Sequence, residues 1–195
     1  MNMNGDGASD QRGNWDNVFR GAEDYFGPGP SEFGQKAQVI IHNAGARDIL
    51  ELICGQGRDT WLFAREGFGV IALDCSESGI CQMRGRAEKL CLEPTVECVV
   101  KDVRAGIRLP DDSVDTVYSH MFFTMELWEK EISFILDECS RVLIPGGLNI
   151  FSVRNDRDPH FQKWVHKGGG HVAEPDRFRG ALLIRGEGAE VDPGL

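Results

Sequence analysis

Residues 48–66 read DILELICGQGRDTWLFARE, a stretch that runs from an apolar strand through a glycine turn into the start of a helix. Gly55 and Gly57 lack a Cβ atom, so the backbone of the turn can pass close to a ligand where another residue would clash. The N–H groups at the start of the following helix face the same space. This strand, turn and helix therefore predict a site for a nucleotide or a nucleoside.

Two acidic residues follow the next two predicted strands. Asp74 lies 17 residues beyond Gly57, where a carboxylate can accept hydrogen bonds from both hydroxyls of a ribose. Asp102 ends the third strand, where the topology places it to bind an exocyclic adenine amine. Ligands of parallel α/β sheets bind outside the carboxyl ends of the strands, and both acids and Gly55 lie at such ends. Each feature alone also fits a tight turn or a helix cap, so it is their order along the chain that favours a cofactor site.

The chain around these residues alternates short apolar runs with helical patterns. Strands separated by helices predict right-handed crossovers and therefore a doubly wound, mostly parallel Rossmann-like α/β sheet with flanking helices. The predicted strands are Ile49–Ile53, Val70–Leu73, Val96–Val100, Val114–Ser119 and Leu148–Val153, and the predicted helices are Asp59–Glu66, Ser76–Leu92 and Leu127–Leu143.

The N-terminal part of the chain is predicted to add two helices to this core. Residues 1–14 are expected to be a loose lead, and residues 15–160 form the core domain with its two cap helices. The spacing of apolar residues predicts the first helix over Trp15–Phe26. The second helix is predicted to begin after the N-cap residue Ser31 and to end at Gly45.

The C-terminal part of the chain departs from the α/β pattern. Residues 161–195 are predicted to be an irregular, glycine-rich tail in which only Ala181–Ile184 has the character of a strand. A sheet of this type normally ends with a further helix and two more strands. We therefore expect the C-terminal strand pair to be missing or degenerate.

The composition of this 195-residue chain restricts the possible partners. No apolar run approaches the roughly 20 residues that span a bilayer, and the N-terminus lacks the apolar segment of a secretory signal, so we expect a cytoplasmic protein without a membrane partner. The formal net charge is −10, of which residues 48–153, with 10 basic and 18 acidic side chains, contribute −8. An acidic body without a stripe of Lys and Arg argues against a nucleic-acid partner.

The six cysteines do not form a recognisable metal site. They make no C-x-x-C pair, and none of them lies beside a histidine at ligand spacing. Free cysteine behaves as a small apolar residue. We therefore expect reduced, mostly buried thiols and no bound metal.

Taken in order, these motifs resemble those of the class I S-adenosylmethionine-dependent methyltransferases. Glu51–Asp59 resembles the first motif of that family, Asp74 the acidic residue of its second motif, and Lys101–Val103 its third motif. Asp115–His120 resembles the fourth strand, and Arg141–Gly147, with its Pro-Gly-Gly, resembles the turn before the fifth strand. The Gly-Arg-Asp-Thr helix start is similar to the small-molecule branch that includes tellurite-resistance and thiopurine-type enzymes.

The resemblance implies an enzyme that uses S-adenosylmethionine as its cofactor and methylates a small-molecule acceptor, as a monomer or a homodimer. It implies that Glu51 reaches the methionine end of the donor, that Asp74 binds the ribose, and that Asp102 binds the adenine with Val103. The complete set of cofactor-binding residues expected from the resemblance is Glu51, Ile53, Cys54, Gly55, Gln56, Gly57, Asp74, Cys75, Asp102, Val103 and Ser119.

His120, at the end of the fourth predicted strand, is the candidate catalytic base. Its position faces the donor's sulfonium in the family, and an imidazole titrates near neutral pH. Methyl transfer gains most of its rate from holding donor and acceptor in line, so a base is optional and a polar rim residue is the alternative role of His120.

One residue of the first motif departs from the family's pattern. The family has a glycine where this chain has Ile53. A branched side chain at this position would either occupy part of the methionine pocket or require a backbone conformation that such residues resist.

Two other functions fit parts of the sequence. A nicotinamide dinucleotide oxidoreductase uses the same strand, turn and helix, although Thr60 stands where the third glycine of its fingerprint would pack the helix on the strand. A non-catalytic member of the methyltransferase family would account for Ile53 and for the unusual tail.

Overall fold

The fold is organised around one six-stranded sheet. The computed structural model describes residues 10–153 and the strand at residues 182–185. The strands are β1 (Asp48–Leu52), β2 (Gly69–Asp74), β3 (Val96–Val100), β4 (Val114–Ser119), β5 (Leu143–Phe151) and β6 (Leu182–Arg185). Their order across the sheet is β3-β2-β1-β4-β5-β6, with the first five parallel and β6 antiparallel to β5. The predicted mostly parallel, doubly wound sheet is confirmed.

The described residues also contain five α-helices. They are α1 (Gln11–Gly21), α2 (Glu32–Asn43), α3 (Thr60–Arg65), α4 (Glu77–Leu90) and α5 (Glu129–Val142), and short 3-10 turns follow β3 at Val103–Ala105 and β4 at Phe122–Thr124. The hydroxyl of Ser31 accepts a hydrogen bond from the Gly34 N–H and caps α2, as the sequence predicts. Ser76 caps α4 in the same way through the Gly79 N–H.

Two apolar layers fix the helices to opposite faces of the sheet. One layer contains buried residues of α2, α3 and α4, among them Ile41, Phe63 and Met83. The other contains the buried face of α5, including Ile135 and Val142. Because both faces of the parallel strands are covered, the carboxyl edge of the sheet is left to form the site.

The first helix differs from its prediction. It starts at Gln11, within the predicted loose lead, and it ends at Gly21 rather than at Phe26. Phe26 nevertheless reaches the aromatic side chains of α1, with its ring centroid 5.9 Å from that of Trp15 and 6.3 Å from that of Phe19. The apolar spacing that predicts one long helix is therefore produced by a helix followed by a turn that folds back on it.

Sheets of this type normally end with two further strands, and the described residues contain one of them, β6. It overlaps the predicted strand Ala181–Ile184, with both ends shifted by one residue towards the C-terminus, and it pairs antiparallel with β5. The remainder of the predicted tail, the domain boundary at residue 160 and the first nine residues of the lead lie outside the described residues.

The cysteines of the described part of the chain are all free. Cys54, Cys98 and Cys139 are buried, Cys75 is partly buried, and Cys81 and Cys91 are exposed, so half of the thiols are buried rather than most of them. The described residues contain no group of three side chains placed to hold a metal ion. None of their helices has the length and apolar character needed to cross a membrane.

A partly buried polar contact attaches α1 to the start of α4. Asp16 accepts hydrogen bonds from the hydroxyl of Ser76 at 2.7 Å and from the Ser78 N–H at 2.9 Å. The Ser78 N–H, the serine hydroxyls and the charge of Arg20 together lower the pKa of Asp16 to about 2 despite its partial burial. The ionised carboxylate therefore stabilises the docking of α1.

We expect Asp16→Asn to lower the free energy of unfolding at pH 7 by about 1–2 kcal/mol, because it replaces charge-assisted hydrogen bonds with neutral ones. The folded pKa of Asp16 lies below its ordinary value, so this stabilisation is complete above about pH 4 and is lost as the pH falls towards 2. Urea unfolding followed by circular dichroism should therefore show wild type and variant converging at low pH. Glu88→Gln, at an exposed side chain of the same helix, is the control. A constant difference at every pH would contradict the expectation.

Candidate active site

A cleft of about 410 Å³ opens at the carboxyl edge of the sheet, where the loops after β1 to β4 meet α1. Nine of the predicted site residues line it, namely Glu51, Ile53, Cys54, Gly55, Asp74, Cys75, Asp102, Val103 and His120. Its other described walls come from α1 and the segment after β4, and they include Trp15, Phe19, Met121, Phe122, Met125 and Leu127. The fold thus brings together predicted site residues that are up to 69 residues apart along the chain, from Glu51 to His120.

Three predicted site residues lie behind the wall of the cleft rather than on it. Gln56 donates a hydrogen bond to the Ala22 carbonyl at 2.6 Å and accepts one from the Tyr25 N–H at 2.8 Å, so it holds the segment after α1. Ser119 is buried at the end of β4. Gly57 closes the loop, where a Cβ atom would lie 2.7 Å from the indole nitrogen of Trp61.

The loop after β1 is a left-handed turn. The φ angles of Ile53, Gly55 and Gly57 are 53°, 58° and 82°. Residues with a Cβ rarely adopt such angles, which explains the two glycines but not Ile53. A Cβ atom on Gly55 would also lie 3.2 Å from the ring of Phe19, because α1 packs directly on the loop.

Ile53 shows both effects that the sequence analysis gives as alternatives, an unfavourable backbone conformation and a side chain inside the cleft. Its backbone is left-handed, which costs a branched residue roughly 1–2 kcal/mol, and its side chain lines the cleft. The chain therefore retains the loop conformation that a glycine would have there, but it places a branched apolar group inside the site.

Asp74 joins the loop after β1 to the start of α4. Its Oδ2 accepts a hydrogen bond from the Gly55 N–H at 2.8 Å, and its Oδ1 accepts one from the Ser76 N–H at 2.7 Å. Burial raises the pKa of Asp74, and the backbone hydrogen bonds only partly offset this effect. Each carboxylate oxygen accepts about two hydrogen bonds, so both oxygens retain capacity for ligand hydroxyls.

The carboxylate of Asp102, unlike that of Asp74, is bound by an arginine side chain. It accepts hydrogen bonds from the Arg104 backbone N–H and from the guanidinium, which contacts both oxygens at 2.7 to 3.1 Å. Burial opposes ionisation here, but the hydrogen bonds and charge of Arg104 outweigh it and lower the pKa of Asp102. These contacts use most of the acceptor capacity of the carboxylate, so an adenine amine would have to compete with Arg104 for it.

Glu51 and Asp59 place two carboxyl groups in the floor of the cleft. Glu51 accepts a hydrogen bond from the hydroxyl of Thr60 at 2.5 Å. Burial, and after it the neighbouring charge of Asp59, raises the pKa of Glu51 well above its ordinary value. The cleft therefore has an acidic floor beneath its aromatic and aliphatic walls.

Asp59 is the site residue that sequence reasoning missed. It is buried, and it accepts hydrogen bonds from the Ser31 N–H at 2.7 Å, the Ser31 hydroxyl at 2.8 Å and the Tyr118 hydroxyl at 2.7 Å. Its Oδ2 also lies 3.5 Å from Nδ1 of His120. The available sequence signal is that Asp59 directly precedes the helix after the glycine turn, where an acidic residue is usually taken for a cap.

The chain is similar to known methyltransferases. A family model described as a methyltransferase domain matches residues 49–147, which are 99 of the 195 residues. A probable S-adenosylmethionine-dependent methyltransferase of Mycolicibacterium smegmatis is 33% identical over 122 residues, which cover 60% of this chain and 42% of that protein. A probable S-adenosylmethionine-dependent methyltransferase of Mycobacterium tuberculosis is 36% identical over 118 residues, covering 60% and 39%.

A solved structure shows the same fold. A glycopeptide N-methyltransferase in complex with S-adenosylmethionine superposes with a TM-score of 0.56 at 24% identity, covering 67% of this chain and 52% of that one. The chain spans about two fifths of the length of the curated relatives that it matches.

We expect Ile53→Gly to lower the Kd for S-adenosylhomocysteine about tenfold, which corresponds to about 1.4 kcal/mol, because the branched side chain leaves the cleft. Isothermal titration calorimetry measures the change. Ile53→Ala is the matched control, since it removes the bulk but keeps a Cβ on the left-handed backbone. Tighter binding by both variants assigns the effect to bulk, and tighter binding by the glycine variant alone assigns it to the backbone. Unchanged affinity in both would show that Ile53 does not obstruct the site.

Proposed function

Because this chain belongs to the methyltransferase domain family, we propose that its cleft binds S-adenosylmethionine and that the protein transfers the methyl group of this donor to a small-molecule acceptor. The observation that carries the proposal is the left-handed glycine turn after β1, tied through the Gly55 N–H to Asp74 at the end of β2. The predicted family is confirmed, and S-adenosylmethionine is the cofactor named for its relatives.

The cleft residues fit this donor. Asp74 keeps acceptor capacity on both oxygens, which suits the two hydroxyls of a ribose. Glu51, Asp59 and Asp74 line the cleft with carboxyl groups, and a donor that carries a sulfonium and an ammonium group would favour their ionised forms. Val103 and Asp102 line the same cleft, and we propose them as the adenine-binding residues.

Several features support a small acceptor. Trp15, Phe19, Met121 and Met125 give the cleft apolar walls that suit a compact organic molecule. The cations near the cleft are engaged by the protein, with Arg104 bound to Asp102 and Arg58 bound to the Gly29 carbonyl. With the negative charge of the surrounding body, this leaves little to attract a phosphate backbone.

The chemistry requires alignment and, for a protonated acceptor, a base. The bound donor would supply an electrophilic methyl group on its sulfonium. The aromatic side chains of α1 pack directly on the loop after β1, and a preformed cleft of this kind favours an in-line approach of acceptor to donor. His120 lines the cleft at the end of β4, and we propose it as the group that accepts the acceptor's proton.

The dinucleotide alternative has less support. Thr60 fills the position of the third fingerprint glycine, and its side chain is fully buried and bonded to Glu51. The non-catalytic alternative depends on whether Ile53 prevents donor binding, which the affinities of its variants decide. A cytoplasmic location and a monomeric or homodimeric state remain predictions from the sequence.

Calorimetry with S-adenosylhomocysteine and with NAD tests the donor. We expect S-adenosylhomocysteine to bind and NAD to show no heat of binding. Asp74→Ala should weaken the binding of S-adenosylhomocysteine at least tenfold, because it removes the partner proposed for the ribose and the acceptor that anchors the glycine turn. Asp48→Ala, at the exposed start of β1, is the control. Binding of NAD alone would overturn the proposal.

Fractionated cell extract tests the acceptor. Protein and labelled S-adenosylmethionine are incubated with the filtrate below a few kilodaltons and, separately, with total RNA. We expect label to move into the filtrate, whereas label in the RNA would contradict the acceptor class.

A further inference from the structure

The imidazole of His120 is held from two sides at the mouth of the cleft. On one side its Nδ1 faces the buried carboxylate of Asp59 at 3.5 Å. On the other side the ring of Phe33 packs against it, with the two ring centroids 5.2 Å apart. These contacts use one edge and one face of the imidazole, so the edge that carries Nε2 is left without a hydrogen bond from the described residues.

The charge of Asp59 is unusually well supported for a buried carboxylate. Ser31 donates two hydrogen bonds to it and Tyr118 donates a third, all of them between 2.7 and 2.8 Å. Burial opposes the ionised form, but the nearby imidazole of His120 and the hydrogen bonds from Ser31 and Tyr118 outweigh burial and lower the pKa of Asp59. Burial raises the pKa of Tyr118, so its hydroxyl remains a donor to the carboxylate.

An ionised carboxylate opposite Nδ1 selects one tautomer of the neutral imidazole. It can only accept a hydrogen bond, so the proton of the ring is favoured on Nδ1 and the lone pair is left on Nε2. The separation of 3.5 Å is longer than a strong hydrogen bond, and contacts of this kind commonly shorten when a ligand fills the site.

We infer that Asp59 is the positioning residue of the site, holding His120 with Nδ1 protonated and with Nε2 open as the proton acceptor. The inference rests on the proposed function, because it describes how the base would act on the acceptor of that reaction. The acceptor is then a group that carries a proton when it binds. Its lone pair forms the bond to the methyl carbon while the carbon–sulfur bond breaks and its electrons stay on sulfur, and the released proton passes to Nε2 of His120.

A purely structural role for Asp59 is the competing explanation, since the residue also links α2 to β4 through Ser31 and Tyr118. The two roles differ in one property. A structural link does not depend on which nitrogen of His120 carries the proton, whereas a positioning residue determines it.

Nitrogen NMR of the full chain measures this property directly. Long-range proton–nitrogen spectra of the nitrogen-15-labelled protein, recorded on the neutral ring, distinguish the two tautomers, and the signals of His120 are assigned by their loss in His120→Gln. We expect wild type to show a protonated Nδ1 and a bare Nε2. Asp59→Asn should shift the ring to the Nε2-protonated form, and Tyr118→Phe, which removes a different donor to the same carboxylate, should leave it unchanged.

An Nε2-protonated ring in wild type, or an unchanged tautomer in Asp59→Asn, would overturn the inference. If Asp59→Asn does not fold, the wild-type and Tyr118→Phe spectra still decide it, because both retain the carboxylate. Calorimetry with S-adenosylhomocysteine on the same samples keeps the two proposals apart. Absence of binding counts against the proposed function, whereas binding together with the wrong tautomer counts only against the role of Asp59.

Discussion

The hydrogen bond from the Gly55 N–H to the carboxylate of Asp74 joins the first two strands at the point where the cleft opens. It requires a left-handed backbone at Gly55 and a buried acid at the end of β2, and the same acid accepts the Ser76 N–H at the start of α4. Ser76 in turn binds Asp16 on α1. The loop, the helix after β2 and the helix that covers the site are therefore connected through two carboxylates, those of Asp74 and Asp16.

A second buried carboxylate organises the opposite side of the cleft. Asp59 links the start of α2 through Ser31 to the end of β4 through Tyr118, and it faces His120. With Glu51 and Asp74 it concentrates acidic groups around the site. Burying such groups disfavours the folded protein, and a cationic donor would offset part of that cost when it binds.

The helix α1 belongs to the site as much as to the fold. Phe19 packs on Gly55 so closely that a Cβ atom at the glycine would touch the ring, and Trp15 stacks on Phe19 with the ring centroids 5.4 Å apart. Gln11 reaches across to the carbonyl of Glu126, in the segment after β4. One wall of the cleft is therefore formed by α1, a segment that carries no recognisable motif.

The sequence by itself determined the first four strands, the glycine turn and the acids at the strand ends, because each depends on neighbours within a few residues: apolar runs form strands, and glycines allow left-handed turns. The fifth strand instead begins at Leu143, before its predicted start at Leu148, and contains the Pro-Gly-Gly that was predicted to precede it. The predicted end of α1 was wrong because the spacing of Trp15, Phe19 and Phe26 fits one long helix as well as a shorter helix followed by a turn that folds back on it. Only the tertiary structure decided the contacts of Asp59. Its partners Ser31 and Tyr118 lie 28 and 59 residues away, and no local pattern records a contact that forms only when α2 and β4 meet around it.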